Sequence, residues 1–457
     1  MSKIVRRIKS KGLAQLSYFI GSGDEALVID PRRDVGAYID IARRNCMSIK
    51  YVLETHRNED FAIGSLELKE MEGCTVLHGK ALPFKYGEGI AEGEFLGLGS
   101  LRIEALETPG HTPESMTYVL YERGSRVPLM AFAGDSIFAG TTGRTDLRGK
   151  KEQASGMLYD SIKNKILTLG DQVTLCPAHG AGSLCGAGIS DRDGSTLGYE
   201  RQTNPDLKLS KDEFVAKKEK ESLETPDYFS RMESINLNGP AVTGGHPRPG
   251  PMAAEDFKKA IGTGILFDTR MPSSFSAHIP GSYSIWLDGM ATFPGWVLDY
   301  EKPVRLVTEK DADAVIVAKY LYRLGVDKVE GYLCGGFRAW YDAGNETEFT
   351  GLLVPDALAG MLASQKATLL DVRSEAEWGE GHIKEAKHVY IGELQHRTGE
   401  LPRGKPVACI CSTGLRASLA ASILMRAGFP EVYNVLGGVT AWKAIGYPLL
   451  YEKLLEK

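Results

Sequence analysis

Three residues of types that bind metals, His56, His111 and Asp135, each follow a short apolar stretch that predicts a β-strand, and a fourth such stretch precedes His179. Because side chains at strand ends converge at one edge of a sheet, these residues can meet although they lie far apart in sequence. Two neutral imidazoles and one carboxylate suit Fe(II) and leave positions open for a substrate and dioxygen. We therefore predict one Fe(II) per chain, with zinc as the alternative. The predicted strands cover residues 49–53, 101–106, 129–133 and 173–175.

The segment that carries His56 resembles the metal loop of the metallo-β-lactamase superfamily, T-H-x-H-x-D-H-x-x-G, with two ligands replaced. Asn58 and Phe61 stand where that loop has its second and third histidines. A phenyl ring cannot bind a metal and a carboxamide binds one poorly, so the sequence disfavours a two-metal hydrolase site. Asn58, Asp60 and His179 then become candidates for orienting the metal ligands or contacting the substrate. The resemblance implies an αββα sandwich.

A second chemical feature is Cys411, which follows the predicted strand 406–410 and precedes a predicted helix over 417–427. Backbone N–H groups of the intervening loop and the helix N-terminus favour a thiolate, or an anionic persulfide, on this sulfur. Arg416, at the end of the loop, can hold an anion such as sulfite or thiosulfate. We predict that Cys411 and Arg416 are catalytic, and a buried, inert thiol is the alternative.

The C-terminal half of the sequence repeats itself with a period of about 100 residues. Asp268 and Arg270 match Asp371 and Arg373, and each pair is followed by a His-Ile dipeptide and a later G-G-x-x-A-W segment. Short apolar strands that alternate with helical stretches predict a parallel α/β sheet in each copy. The repeat resembles rhodanese sulfurtransferase domains, whose reactive cysteine opens a six-residue loop, whereas related phosphatases have a loop one residue longer. The resemblance implies sulfur transfer rather than phosphate chemistry.

The two copies differ at the reactive loop. Thr308 aligns with Cys411, and three acidic residues follow it between positions 309 and 313. Without a thiol, and with acidic side chains facing an anion, this copy should not carry sulfur. We predict that it is a structural or docking module. Cys334 lies away from the loop position, so we expect it to pack in the domain.

Across the N-terminal half, the ordered motifs resemble those of persulfide dioxygenases, an iron-dependent branch of the metallo-β-lactamase superfamily. The resemblance implies that the iron ligands are His56, His111 and Asp135, the three residues selected above. A G-R-T-D segment similar to that of the family contains Arg144, and the family's arginine contacts the carboxylates of the thiol cofactor. Arg144 is therefore a candidate for substrate binding, and a buried ion pair with Asp146 is the alternative.

Three residues further along the chain are additional candidates. Cys185 lies in a glycine-rich loop that leaves the site, where close backbone approach would let its thiol reach the metal and accept or present a sulfane sulfur. A small buried residue is the alternative for Cys185. Tyr199 and Arg201 are candidates for contacting the substrate.

Composition limits the kind of protein. The 457 residues, of which 43% are hydrophobic, suffice for about three domains with ordinary cores. The net charge of −5 comes without a basic stripe, which disfavours nucleic acid as a partner. We find no export signal and no membrane-spanning stretch, and seven scattered cysteines fit a reducing cytosol. We predict a soluble, cytoplasmic protein, and the sequence leaves a homo-oligomer open.

A stretch rich in glycine and proline separates the metal-binding half from the repeat, as a linker would. Shortly before it, Ser210 and Glu213 predict a capping box at the start of a helix. The predicted regions are a metallo-β-lactamase-like domain over 1–239, a linker over 240–251, an inactive rhodanese-like domain over 252–350 and an active rhodanese domain over 351–457.

The combined resemblances imply a sequence of reactions. A low-molecular-weight thiol persulfide and dioxygen would react at the iron to give sulfite and thiol, and Cys411 would pass a second sulfane sulfur to sulfite, giving thiosulfate. The net role would be sulfide or persulfide detoxification. Two alternatives stay open: a thioester hydrolase resembling glyoxalase II, which needs two metals, and a sulfur-relay scaffold in which only Cys411 reacts. The sequence leaves the carrier thiol open among glutathione, coenzyme A, bacillithiol and cysteine.

Overall fold

The computed structural model describes residues 3–147 and 149–451, so residues 1–2, 148 and 452–457 of the predicted first and last domains lie outside the described residues. The chain divides into two compact units. One unit comprises Met1–His246 with Tyr322–Asp327, and the other comprises Pro247–Leu321 with Lys328–Lys457. Within the described ranges, no helix is both long and apolar enough to cross a membrane.

The first unit is built on two six-stranded sheets in which neighbouring strands follow the order of the chain. The first sheet consists of β1 (Lys3–Ser10), β2 (Gln15–Ser22), β3 (Glu25–Ile29), β4 (Ser48–Leu53), β5 (Thr75–Gly79) and β6 (Glu88–Ile90). The second sheet consists of β7 (Phe95–Leu98), β8 (Leu101–Glu107), β9 (Met116–Glu122), β10 (Pro128–Gly134), β11 (Thr174–Pro177) and β12 (Ser195–Thr196). In the first sheet the β1–β3 pairs are antiparallel and the later pairs are parallel, whereas in the second sheet only β10 and β11 pair in parallel.

The two sheets pack face to face, and helices cover both outer faces. Leu27 of β3 points into the core shared with Phe132 of β10, whereas the next residue, Val28, points outward to Tyr38 of α1. On the outer face of the second sheet, Leu158 of α3 belongs to a separate core. The αββα sandwich is therefore confirmed. The helices of this unit are α1 (Gly36–Arg44), α2 (Ser65–Glu72), α3 (Lys151–Ser161), α4 (Leu197–Thr203), α5 (Lys211–Lys220) and α6 (Tyr228–Asn238).

The strands predicted before the candidate ligands exist as β4, β8, β10 and β11. The last one is displaced from its predicted bounds and extends to Pro177, because it pairs in parallel with β10 as far as that residue. The predicted capping box is also present at the start of α5. The backbone N–H of Ser210 donates to Oε2 of Glu213 at 2.8 Å, and the backbone N–H of Glu213 donates to Oγ of Ser210 at 3.4 Å.

The second unit contains the two α/β copies that the repeat predicts. The strands of the first copy are β13 (Gly250–Met252), β14 (Ile265–Asp268), β15 (Ala277–His278), β16 (Tyr283–Ser284), β17 (Val304–Val307), β18 (Val329–Leu333) and β19 (Glu348–Phe349). Those of the second are β20 (Gly351–Leu353), β21 (Thr368–Asp371), β22 (Ala386–His388), β23 (Val407–Ile410) and β24 (Val432–Val435). The parallel five-stranded sheets have the orders β13-β18-β17-β14-β16 and β20-β24-β23-β21-β22, which correspond strand for strand.

Helices alternate with these strands. They are α7 (Ala254–Ile261), α8 (Asp313–Arg323), α9 (Gly336–Asp342), α10 (Pro355–Ala363), α11 (Glu375–Gly379), α12 (Leu394–Arg397), α13 (Leu415–Arg426) and α14 (Gly438–Ala444). One difference from the predicted organisation concerns Gly250 and Pro251, which were assigned to the linker but form most of β13. Proline is tolerated there because β13 is an edge strand, where a missing N–H group breaks no ladder.

Candidate functional site

The loops after β4, β8 and β10 bring His56, His111 and Asp135 together in a buried cluster. Nε2 of His56 lies 3.7 Å from Oδ2 of Asp135, and Nε2 of His111 lies 3.6 Å from the same oxygen. Both Nε2 atoms are buried, and neither makes a hydrogen bond within the described residues. Buried ring nitrogens without a hydrogen bond, beside a carboxylate, are a donor set that fits a divalent metal.

Each of the two histidines is oriented by a hydrogen bond through Nδ1. Oγ1 of Thr55 donates to Oδ2 of Asp30 at 2.7 Å and therefore accepts from Nδ1 of His56 at 2.9 Å. Nδ1 of His111 donates to the carbonyl oxygen of Arg144 at 3.0 Å. With a proton held on Nδ1, Nε2 of each ring faces the cluster and is the atom that can bind a metal. The motif search missed Thr55 and Asp30 in this role, although Thr55 directly precedes His56.

Two glycines allow the loops to approach this closely. A Cβ atom on Gly143 would lie 1.9 Å from the carbonyl oxygen of Asp135 and 3.4 Å from Nδ1 of His111. Gly134 has a φ of 53°, and a Cβ atom there would lie 2.7 Å from Oγ1 of Thr55. Any side chain at these positions would therefore push the ligands apart.

The electrostatic environment sets the charge of each candidate ligand. Burial lowers the pKa of His56 to about 4, so this imidazole is neutral at neutral pH. Burial opposes ionisation of Asp135, but the positive charge of His179 holds the pKa of that carboxyl below its usual range. Burial also opposes a charge on His111, yet the carboxylate of Glu59 raises its pKa to about 9. A metal would therefore displace a proton from His111 on binding.

His179, in the loop after β11, bridges two carboxylates. Its Nδ1 lies 2.8 Å from Oδ1 of Asp135, and its Nε2 lies 2.9 Å from Oδ2 of Asp60. Burial opposes a charge on this ring, but the two carboxylates raise its pKa well above the usual value. Because both ring nitrogens are engaged, His179 is suited to fixing the position of Asp135 rather than to binding a metal itself.

Asn58 and Phe61, which stand at histidine positions of the metal loop, have structural roles. Nδ2 of Asn58 donates to the carbonyl oxygen of His56 at 3.3 Å, and the ring of Phe61 is fully buried. Asn236 of α6 secures this part of the loop, since its Nδ2 donates to the carbonyl oxygens of Asn58 and Phe61 at 2.6 and 2.7 Å. Sequence reasoning had no signal for Asn236, because it lies far along the chain.

Glu59 belongs to the cluster although no motif selected it. Its side chain is fully buried, and its Oε1 lies 3.3 Å from Nε2 of His111. The buried thiol of Cys185 donates to the same oxygen at 3.4 Å. Burial and the nearby carboxylates, Glu59 first, raise the pKa of the Cys185 thiol well above its usual value, so the sulfur is protonated. The sequence contained one signal for Glu59, its place between Asn58 and Asp60.

The remaining candidates of the first unit have other partners. All five N–H groups of the Arg144 side chain are occupied, by Asp146 (2.7 and 3.1 Å), by the carbonyl oxygens of Leu184 and Glu224, and by Oγ1 of Thr225. This arrangement favours the structural alternative for the side chain, while the Arg144 carbonyl oxygen orients His111. Tyr199 is 48% exposed and contacts Arg192 through its ring, and Arg201 pairs with Asp171, so these residues lie outside the buried cluster.

In the second unit, Cys411 lies directly after β23 and is buried. The backbone N–H of Gly414 donates to its Sγ at 3.1 Å, as a loop that stabilises anionic sulfur would. The side chain of Arg416 is held by other residues. Its guanidinium forms a two-bond ion pair with Glu377 at 2.6 and 2.7 Å and also donates to Oγ of Ser412 at 3.0 Å. Sequence reasoning missed Glu377, which caps α11 far from the loop.

The first copy places Thr308 where the second has Cys411. A Cβ atom on Gly336 would lie 2.7 Å from the carbonyl oxygen of Thr308, and one on Gly438 would lie 2.0 Å from that of Cys411. A cavity of about 380 Å³ lies beside Thr308. The expectation that Cys334 packs in this domain is wrong. Cys334 follows the end of β18 and is exposed, and its thiol donates to Asp311 at 3.4 Å.

Comparisons with known proteins match the two halves of the chain to different families. A family model described as the rhodanese-like domain matches residues 253–343 and 354–445. The N-terminal region is similar to the mitochondrial persulfide dioxygenase ETHE1 of Bos taurus, with 30% identity over 231 residues that span 48% of this chain and 82% of the bovine protein. The same protein of Homo sapiens is 31% identical over 212 residues, which span 44% of this chain and 74% of the human one.

A solved structure resembles a larger part of the chain. It is a metallo-beta-lactamase from Staphylococcus aureus subsp. aureus COL, which aligns with a TM-score of 0.66 and 29% sequence identity. The alignment covers 73% of this chain and 99% of the staphylococcal one. Similarity therefore extends beyond the 48% of the chain that the bovine protein matches.

Proposed function

The chain belongs to the persulfide dioxygenase family, and we propose on that premise that it uses one Fe(II) to oxidise a low-molecular-weight thiol persulfide to sulfite and thiol. We further propose that Cys411 transfers a second sulfane sulfur to sulfite, which gives thiosulfate. The observation that carries the first proposal is the pair of buried Nε2 atoms of His56 and His111, which lie beside Asp135 and make no hydrogen bond within the described residues. The two rhodanese-like domains support a role in sulfur metabolism.

The donor set supports one metal ion rather than two. A second ion would need ligands that Phe61 cannot provide, while Nδ2 of Asn58 donates to the backbone and both nitrogens of His179 are engaged by carboxylates. This argues against a thioester hydrolase of the glyoxalase II kind. The intact set of His56, His111 and Asp135 argues against a relay scaffold without a metal. Two imidazoles with one carboxylate suit Fe(II).

The proposed oxidation consumes one persulfide, one dioxygen and one water, and it yields one thiol, one sulfite and two protons. The terminal sulfur loses four electrons, which dioxygen accepts. Bound Fe(II) would supply the redox chemistry toward dioxygen. His56, His111 and Asp135 would hold it, and His179 with Asp60 would keep the Asp135 carboxylate in place through the bonds of 2.8 and 2.9 Å.

The proposed sulfur transfer needs no external oxidant. The Cys411 thiolate attacks the outer sulfur of a second persulfide, forms an S–S bond and releases the carrier thiolate. Sulfite then attacks the outer sulfur of the Cys411 persulfide, thiosulfate departs and the Cys411 thiolate is restored. The Gly414 N–H group, 3.1 Å from Sγ, supports the anionic sulfur. Arg416 remains the proposed cationic neighbour of the anion, held in position by Glu377.

Metal content and oxygen uptake test the proposal together. The full chain would be purified without added metal, and the metals bound per chain would be measured beside oxygen uptake with glutathione persulfide, coenzyme A persulfide, bacillithiol persulfide and cysteine persulfide. We expect about one iron per chain and one dioxygen consumed per sulfite formed. Two zinc ions with hydrolysis of a glutathione thioester would instead establish the hydrolase, and a metal-free chain that still transfers sulfur would establish the relay scaffold.

A further inference from the structure

Glu59 carries a buried charge inside the proposed metal cluster. The residue is fully buried, and its Oε2 atom makes no hydrogen bond within the described residues. Burying a carboxylate is costly unless a cation or several hydrogen bonds compensate its charge. In the metal loop, where Asn58 and Phe61 replace two imidazoles, this side chain adds an oxygen donor.

The position of Glu59 matches that of a metal ligand. Ligand atoms that share one ion at bonds of about 2.1 Å stand about 3.0 to 3.4 Å apart at octahedral or tetrahedral angles. Oε1 of Glu59 lies 3.3 Å from Nε2 of His111, whereas Oδ2 of Asp135 lies 3.6 Å from the same nitrogen. Candidate ligand atoms of His56, Glu59 and His111 all lie within 4.8 Å of one another. Glu59 thus meets the geometric criterion at least as well as Asp135.

We propose that Glu59 is a fourth protein ligand of the metal, so that the centre consists of two histidines and two carboxylates. This inference rests on the metal site of the proposed function. Two carboxylates would balance the charge of a divalent ion in this buried site. The second carboxylate also makes the donor set richer in oxygen, which shifts its preference toward metals with harder character than zinc.

A fourth protein ligand would limit the number of substrate atoms that can bind to the ion. Four protein ligands would leave fewer positions of the ion open to substrate atoms than a facial triad would. Recognition of the carrier thiol would then fall mainly to protein side chains.

The competing explanation is that Glu59 only pairs with the ring of His111, whose Nε2 lies 3.3 Å from its Oε1, and accepts from the thiol of Cys185 at 3.4 Å. The two explanations differ in what removal of the thiol does. If Glu59 is a ligand, Cys185→Ala leaves the carboxylate on the metal. If Glu59 acts through Cys185, the two residues give the same metal-binding defect when they are replaced.

A crystal structure of the full wild-type chain, loaded with Fe(II) under anaerobic conditions, is the direct test. We expect an oxygen of Glu59 at about 2.0–2.2 Å from the ion, the range of carboxylate ligands of divalent metals. A separation above about 3 Å, with His56, His111 and Asp135 bound, overturns the inference. Because this experiment uses the unaltered chain, it decides the matter even where a Glu59 variant fails to fold.

Titrations of the full chain with Co(II), in competition with a chelator, provide the second test. We expect Glu59→Gln to raise the Kd for Co(II) by at least about 100-fold, beyond the usual effect of an outer-sphere partner, and to change the d–d absorption spectrum. The matched control is Glu200→Gln, a fully buried glutamate that accepts from the Gly140 N–H at 2.7 Å; it should keep the wild-type Kd.

Two outcomes of the titrations overturn the inference: an unchanged Co(II) spectrum in Glu59→Gln, or the full defect reproduced by Cys185→Ala. The titrations need neither substrate nor turnover, so they are independent of the proposed function. Oxygen uptake by a chain whose Glu59 stays off the metal overturns this inference alone. A metal bound by Glu59 in a chain without oxygen uptake overturns the proposed function alone.

Discussion

The metal cluster and the cysteine loop are built in opposite ways. The cluster takes His56 from the loop after β4 in one sheet, and His111, Asp135 and His179 from loops after three strands of the other sheet. The cysteine loop is a single turn, in which the N–H of Gly414 faces a sulfur only three residues away. A site made of one turn can be lost through a few substitutions, whereas a site made of four loops depends on how two sheets pack.

The two rhodanese-like copies show which contacts are present when the reactive cysteine is absent. In the first copy Nε of Arg270 binds Oδ1 of Asp268 at 2.9 Å, and in the second Nε of Arg373 binds Oδ1 of Asp371 at 3.0 Å. Each arginine also donates to a backbone carbonyl oxygen at 2.9 Å. This frame, an Asp–Arg pair whose arginine also bonds to the backbone, is thus the same in both copies, although Thr308 stands at the cysteine position of the first. The contacts that hold this fold together are separate from those that carry its chemistry.

The largest effect is expected when the cluster loses a ligand. We predict that His111→Ala abolishes both iron binding and persulfide-dependent oxygen uptake, because the ion loses one of its two imidazole ligands. Transfer of sulfur from thiosulfate by Cys411 should continue unchanged. Asn58→Ala is the control and should retain the iron, since the Asn58 side chain is hydrogen-bonded to the backbone. Retention of about one iron per chain in His111→Ala would disprove the ligand assignment.

Replacing the reactive sulfur of Cys411 tests whether the cysteine loop works independently of the metal cluster. We predict that Cys411→Ser eliminates sulfur transfer and leaves oxygen uptake within about twofold of wild type, because no proposed metal ligand lies in the cysteine loop. The product should shift from thiosulfate to sulfite, which chromatography of the reaction mixture measures. An unchanged yield of thiosulfate would place the transfer at another thiol, with Cys185 as the next candidate.

The shared frame predicts equal losses of stability in the two copies. Asp371 and Asp268 are fully buried and each is paired with an arginine, so Asp371→Asn and Asp268→Asn should each destabilise their own domain by about 3 kcal/mol or more. Urea unfolding with hydrogen exchange resolved by peptide measures this. Asp256→Asn, in an exposed pair with Lys259, is the control and should change stability by less than about 0.5 kcal/mol. A loss in only one copy would contradict the common frame.

The smallest effect is expected from restoring the thiol to the first copy. We predict that Thr308→Cys, made in the Cys411→Ser background, transfers no sulfur, because three acidic residues, Glu309, Asp311 and Asp313, follow the new thiol in its loop and would disfavour an anionic persulfide. Activity of the variant toward thiosulfate and cyanide is the measurement. Transfer at more than about a tenth of the wild-type rate would show that the acidic loop does not exclude sulfur chemistry.

Local patterns of the sequence were sufficient for much of this architecture. The capping box of Ser210 and Glu213 and the paired Asp371 and Arg373 involve residues within a few positions of each other, so neighbours along the chain decide them. Alternating strands and helices predicted the two parallel sheets for the same reason. The order of polar segments after apolar strands was likewise enough to select His56 as a candidate ligand.

Contacts between distant segments were decided only by the tertiary structure. The place of Glu59 beside His111 depends on the packing of one sheet against the other, and the pairing of Arg416 with Glu377 depends on how α11 meets the cysteine loop. Apart from the place of Glu59 in the metal loop, the sequence marks neither Glu59 nor Glu377 as a partner, because a buried charge and an exposed one look alike in sequence. Burial and long-range pairing arise only when the sheets close, and they determine which of these charged side chains face a metal, an anion or one another.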